Sequence, residues 1–225
     1  MNSNRKAALV AGSLFLIAMA ASLTGGGLLE PILSTPGYLS TLYADSNQVW
    51  TGMSLELINA IAVVGIAAAL YPVLKTHNES MAIGYVGFRI IESFCCIISA
   101  IVPLLLIPLS QKYSGTGINE NSGIQALSTV IMEVRVQMAG LLIPVFFCLG
   151  ALLLYSLLYT SRLLPRFIPV WGIIGVLSIA AINLFEFDTN IKMMLALPII
   201  LNEIFMGIWL IAKGFNQSGT VSESV

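Results

Sequence analysis

Charge is what this sequence has least of. Asp, Glu, Lys and Arg make up only 9% of its 225 residues, against 57% hydrophobic ones, where a soluble domain carries roughly 25% charged residues. So few charges cannot solvate the surface of a 24.1 kDa globule, which excludes a water-soluble enzyme. A net charge of −1 supplies no basic field and excludes nucleic acid as a partner. The single histidine, His77, cannot provide two axial haem ligands or an H-E-x-x-H zinc site. No P-loop, G-x-S-x-G elbow or C-x-x-C motif occurs, so nothing argues for an enzyme, and neither cofactor nor metal is expected. Cys95, Cys96 and Cys148 all lie in apolar runs. Adjacent cysteines are poor disulfide partners, and these read as small apolar packing residues.

What the chain has in abundance is apolar length. Its mean hydropathy is +0.92, and the solvent that suits such a composition is lipid. A spanning helix needs about 20 mostly apolar residues. Six stretches qualify: Ala7–Leu29, Val49–Leu74, Met81–Leu109, Ile131–Tyr159, Phe167–Phe185 and Met193–Ala212. Turn chemistry separates them at 34–37 (STPG), 77–80 (HNES) and 114–117 (SGTG). The expected fold is therefore all-α: a polytopic membrane bundle of six transmembrane helices. It forms a single domain over 1–215, with a polar tail at 216–225. The stretches at 30–48 and 110–128 read as the longer loops, on one side of the membrane. No internal repeat of the kind many transporters carry is visible.

Orientation follows from the basic residues. With the N-terminus in the cytoplasm, Arg5, Lys6, Lys75, Arg162, Arg166 and Lys213 lie inside, and Lys112 and Lys192 outside. Both termini are then cytoplasmic in a multi-pass protein of the cell membrane. Trp50 at one face and Trp171 and Trp209 at the other match interfacial placement. Arg5-Lys6, an apolar run and Ala18-Met19-Ala20 also have the form of a cleavable signal. The apolar run continues past that site to Leu28 and Leu29, so the first helix is read as retained.

Ionisable residues inside the spans are costly unless paired, neutralised or hydrated, so each is informative. Glu56 and Asn59 lie three apart on the second helix, hence on one face. Arg89 and Glu92 have the same spacing on the third, and Cys96 and Ser99 extend that stripe. Asn202 and Glu203 lie near the middle of the sixth. At a rise of about 1.5 Å per residue, Glu92 and Glu203 fall near the midplane, Arg89 about one turn from Glu92, and Glu56 roughly 9 Å below the outer surface. Glu133 and Arg135 read as shallow residues able to reach water by snorkelling. Arg89 is then the sole deep base. One guanidinium cannot neutralise Glu56, Glu92 and Glu203 together, so at least one of them holds a proton or the site is hydrated.

Two readings of this cluster compete. Arg89, Glu92, Glu203, Asn202, Glu56 and Asn59 form a binding site for a small molecule or lipid, in a binding protein or transporter. Alternatively they form an interhelical clasp in a structural or regulatory membrane protein, such as a stress or immunity factor. The lipid bilayer is the expected partner, with a small-molecule or lipid ligand on the first reading and no protein partner indicated. Gly207, one turn after Glu203, is expected to leave space beside its carboxyl. Pro103, Pro108 and Pro144 mark weak points in the third and fourth helices, where a cavity is one expected outcome.

Three stretches taken in order carry a resemblance: RKAALVAGSLFLIA at the start, SRLLPR (residues 161–166) after the fourth helix, and LPIILNEIFMGIWLIAKG with Glu203, Trp209, Lys213 and Gly214. With GFRIIES around Arg89, they resemble the domain-of-unknown-function 4386 family of bacterial integral membrane proteins over about residues 5–215. The resemblance implies a multi-helix membrane protein and implies no activity, substrate or cofactor.

Overall fold

The computed structural model describes residues 3–115 and 118–216, without the side chains of 115 and 118–121. Helices account for nearly all of it. These are α1 (Ser3–Leu33), α2 (Ser46–Leu74), α3 (Glu79–Gly115), α4 (Ile118–Gln137), α5 (Ile143–Ser161), α6 (Phe167–Leu184) and α7 (Thr189–Ala212), with a 3₁₀ turn at Tyr38–Ser40. A π-helical segment, Met138–Leu142, joins α4 to α5, so the two form one long span from Ser122 to Ser161. Six helical spans are long and apolar enough to cross a membrane. The expected membrane bundle is the fold observed, and all six expected stretches fall on spans. The expected tail at 216–225 lies outside the described residues except for Asn216.

The helices run longer than their apolar cores. The expected loop at 110–128 is mostly helical: α3 continues to Gly115 and α4 begins at Ile118, leaving only 116–117 undescribed between them. Loss of hydropathy marks where a helix leaves lipid, not where it ends. Ser114, for example, donates from Oγ to the Ser110 carbonyl at 3.2 Å inside the polar part of α3.

Successive spans alternate in direction, which puts the start of α1 and the end of α7 at one end of the bundle, the terminal end. α1 packs on α2, α2 on α3, α3 on α5, α5 on α6, α6 on α7, and α7 returns to α1. Six spans thus close into a ring, while α4 packs against α3. Where α1 meets α7, a Cβ on Gly12 would lie 2.7 Å from the Gly207 carbonyl oxygen. Only glycine permits that approach of two backbones.

The stretches that carry the family resemblance meet at the terminal end. Arg5 donates to the Leu210 and Ile211 carbonyls, at 3.1 and 2.7 Å, and so caps the carbonyl end of α7. Gly214 takes the left-handed conformation (φ 73) that terminates the helix. Arg162 ends α5 in the same region of backbone space (φ 57). Its carbonyl accepts from Asn216 Nδ2 at 3.0 Å, while the Leu163 carbonyl accepts from the Asn216 backbone at 2.9 Å. Arg166 stacks over Tyr159, 5.0 Å from the ring centroid. Trp209 and Phe205 stack with Phe167 nearby. This set of contacts is architectural.

Candidate functional site: a polar cavity inside the helical ring

The residues of the expected cluster separate into three groups. In the first, Arg89 Nη1 donates to Glu92 Oε2 at 2.7 Å. Both side chains are about 95% buried, and the pair lies within α3. The guanidinium packs beside the rings of Phe147 (5.5 Å) and Tyr85 (5.9 Å). Gly150 lets α5 come close, since a Cβ there would already touch Arg89 Cδ at 3.4 Å. Arg89 Nε and the Tyr85 hydroxyl are buried and find no hydrogen-bond partner among the described residues.

This pair borders a cavity of about 250 Å³ whose wall draws on all six spans of the ring. Polar groups come from Ser22 on α1, Asn59 on α2, Arg89, Glu92 and Cys96 on α3, and Glu203 on α7. The rest is apolar, including Phe15, Ile66, Pro144, Phe147, Ile179 and Ile199. Asn59 and Glu203 have no hydrogen-bond partner among the described residues. Both are half-buried rather than sealed off and line the cavity, which leaves that space as the place where water or a ligand can meet them.

Gly207 does not make this space. A Cβ there would lie 3.1 Å from both the Gly12 carbonyl oxygen and Leu16 Cδ2, because Gly207 is used for the α1–α7 approach. Small side chains on α1, Ala18 and Ser22, and the break in the fourth span supply the room beside Glu203. That break is the π-helical segment. Pro144 has no N–H to donate to the preceding turn, and the Ile143 N–H reaches back five residues to the Met138 carbonyl. The expected cavity next to Pro144 therefore forms where the regular helix fails. Pro144 and Ile179 also line a second cavity of about 810 Å³ that reaches Asn183, Glu186 and Lys192 at the end of the bundle opposite the termini.

The second group centres on Arg135. Its expected snorkelling to water is overturned, because Arg135 is buried. Its Nη1 and Nη2 donate to Glu56 Oε2 and Oε1 at 2.9 and 2.6 Å. Nη1 also reaches the Ser99 carbonyl at 2.8 Å. Arg89 is thus not the sole buried base. Glu56 is held by Arg135 and does not line the 250 Å³ cavity. The signal for this pair was present in the depth of Glu56, which needed a cation, but helix spacing alone cannot say that α4 turns Arg135 inward. Glu133, by contrast, is exposed and accepts from Gln137 at 2.6 Å.

In the third group, Asn202 is fully buried. Its Nδ2 donates to the Ile168 carbonyl at 2.9 Å, and its Oδ1 accepts from the Tyr155 hydroxyl at 2.8 Å. This ties α7 to α6 and α5 and lies outside the cavity wall. Sequence reading missed Tyr155, since a tyrosine in an apolar run gives no sign of a partner 47 residues away.

Among the described residues no group of His, Cys, Asp and Glu is arranged to hold a metal ion. No match was found among curated proteins or among solved structures. The profile of one family, described as Domain of unknown function (DUF4386), matches residues 10–214. With nearly the whole bundle covered by that match, the chain belongs to the DUF4386 family.

Proposed function

We propose that this integral membrane protein binds, and in doing so carries or senses, a small molecule or lipid headgroup in the cavity bordered by Arg89, Glu92, Asn59 and Glu203. The single observation behind this reading is that Glu203 and Asn59 face a 250 Å³ space without partners from the chain. Expected site residues Glu56 and Asn202 belong to closed pairs on this reading, and support the walls rather than the ligand.

A purely structural Arg–Glu clasp, the alternative, has the direct 2.7 Å contact of Arg89 and Glu92 in its favour. That contact is three residues along one helix, so it joins no two helices. Identification by mass spectrometry of molecules bound to protein purified in mild detergent tests the proposal. A species retained by the wild type and lost from Glu203→Gln is expected. Identical, empty spectra for both would leave the clasp.

In the cell membrane the same reading places both termini in the cytoplasm, supported by the six-to-two division of the basic residues outside the spans. α1 stays attached, because its Phe15 and Ala18 are cavity wall and its Arg5 caps α7. In a cysteine-free background, Ser40→Cys should react with an impermeant maleimide added outside and Asn78→Cys should not. The reverse pattern would invert the topology. An N-terminal sequence beginning near Ala21 would reject the attached helix.

A further inference from the structure

The cavity carries an imbalance of charge that names the kind of ligand. Two carboxyl groups, Glu92 and Glu203, and one guanidinium, Arg89, border it. The guanidinium and Glu92 neutralise each other through a direct 2.7 Å bond. Glu203 shares that one guanidinium without a bond to it, and among the described residues no other cation lines the wall. Around it the Glu203 carboxyl oxygens, the Asn59 amide oxygen and the Ser22 hydroxyl can accept, and the Asn59 amide nitrogen and Arg89 Nη2 can donate, all without partners among the described residues. In a space walled by Phe15, Ile66 and Ile199, a lone carboxylate is costly, so it holds either a proton or a cation.

Apolar walls continue from Glu203 past Ile143 and Phe147 to Pro144 and Ile179, which border the second cavity as well. An occupant with its charge at Glu203 therefore has an apolar course to follow toward the end of the bundle opposite the termini. Gly140 stands in the wall of that second cavity with open space where a Cβ would be.

Resting on the binding reading above, we propose that the ligand is a singly charged organic ammonium with an apolar tail. Its N–H groups donate to Glu203 and Asn59, and its tail lies along Pro144 and Ile179. An anionic headgroup is disfavoured because it would meet two carboxyl groups, Glu92 and Glu203, against one guanidinium already bonded to Glu92.

The probes that test this are octylammonium, octyltrimethylammonium, octanol and octylsulfonate. Each is titrated calorimetrically into the full chain in zwitterionic-lipid nanodiscs, with empty nanodiscs subtracted. Octylammonium is expected to bind tightest, and Glu203→Gln to weaken it by about tenfold or more through loss of the charge pair, with the octanol signal unchanged. Octyltrimethylammonium, which has no N–H, is expected to bind more weakly than octylammonium. Preferential binding of octylsulfonate or octanol would overturn the ammonium assignment and leave the binding cavity standing. Absence of protein-specific heat for all four probes would overturn both. A folding check is built in: Glu203→Gln must retain the wild-type melting transition, and Glu203→Asp, which keeps the charge, is expected to recover part of the octylammonium affinity.

Discussion

Asn202 and Glu203 are neighbours in the chain at one depth of α7, and the molecule treats them in opposite ways. Asn202 is fully buried, with both ends of its amide engaged by Tyr155 and the Ile168 carbonyl. Glu203, turned about 100° around the helix, meets a cavity and no hydrogen-bond partner. The two arginines repeat the contrast. Arg135 holds both oxygens of Glu56 and the Ser99 carbonyl and joins three helices. Arg89 has one bond to a residue on its own helix, and its Nε has no partner. Closed pairs thus join helices here, whereas the open cluster leaves polar groups facing a cavity.

The contrast can be broken most forcefully at a closed pair. Arg135→Ala leaves Glu56 buried without its counter-charge and frees the Ser99 carbonyl. A loss of about 3 kcal/mol is expected, because removing one partner strands the other. Thermal unfolding in detergent measures it. A loss no greater than that of an exposed control such as Lys192→Ala would mean that the pair is wet and idle.

Gly12→Leu comes next. The added side chain must displace the α7 backbone at Gly207, an overpacking expected to cost about 1–3 kcal/mol. Asn202→Leu should follow at about 1–2 kcal/mol, since it leaves the Tyr155 hydroxyl unsatisfied and removes the α7–α6 bond to the Ile168 carbonyl. Its rescue by Tyr155→Phe would confirm that the two act as one unit. Smallest of all in destabilisation is Glu203→Gln, expected to cost less than about 0.5 kcal/mol or to stabilise, since no hydrogen bond is lost and an uncompensated carboxyl is removed. A large destabilisation by Glu203→Gln would turn the open cluster into another clasp and erase the comparison.

The ring of spans was legible because lipid imposes a length rule on apolar runs, and runs such as Phe167–Phe185 obey it almost residue for residue. The ends were less legible. Polar segments such as Gln111–Tyr113 stay helical once outside lipid, and hydropathy does not report that. Arg89, Glu92 and Glu203 could be picked out because each is costly in an apolar span, and spacing alone put Arg89 beside Glu92. The division into open and closed groups could not be read. It depends on how α4 is rotated, on the π-helical offset before Pro144, and on Tyr155, whose partner lies on another helix. Space was misassigned for a related reason: a glycine in sequence signals room, but whether a ligand or a second backbone takes it is settled by packing, and at Gly207 the backbone of α1 takes it.

Two adjacent cysteine substitutions put the central claim to its most direct test. In a background with Cys95, Cys96 and Cys148 replaced by alanine, Glu203→Cys and Asn202→Cys are each exposed to a small, positively charged methanethiosulfonate in nanodiscs, and the reaction is followed by mass. The open cavity predicts modification at position 203 and protection at position 202. Equal protection at the two positions would contradict it, and would make Glu203 part of a dry core like its neighbour.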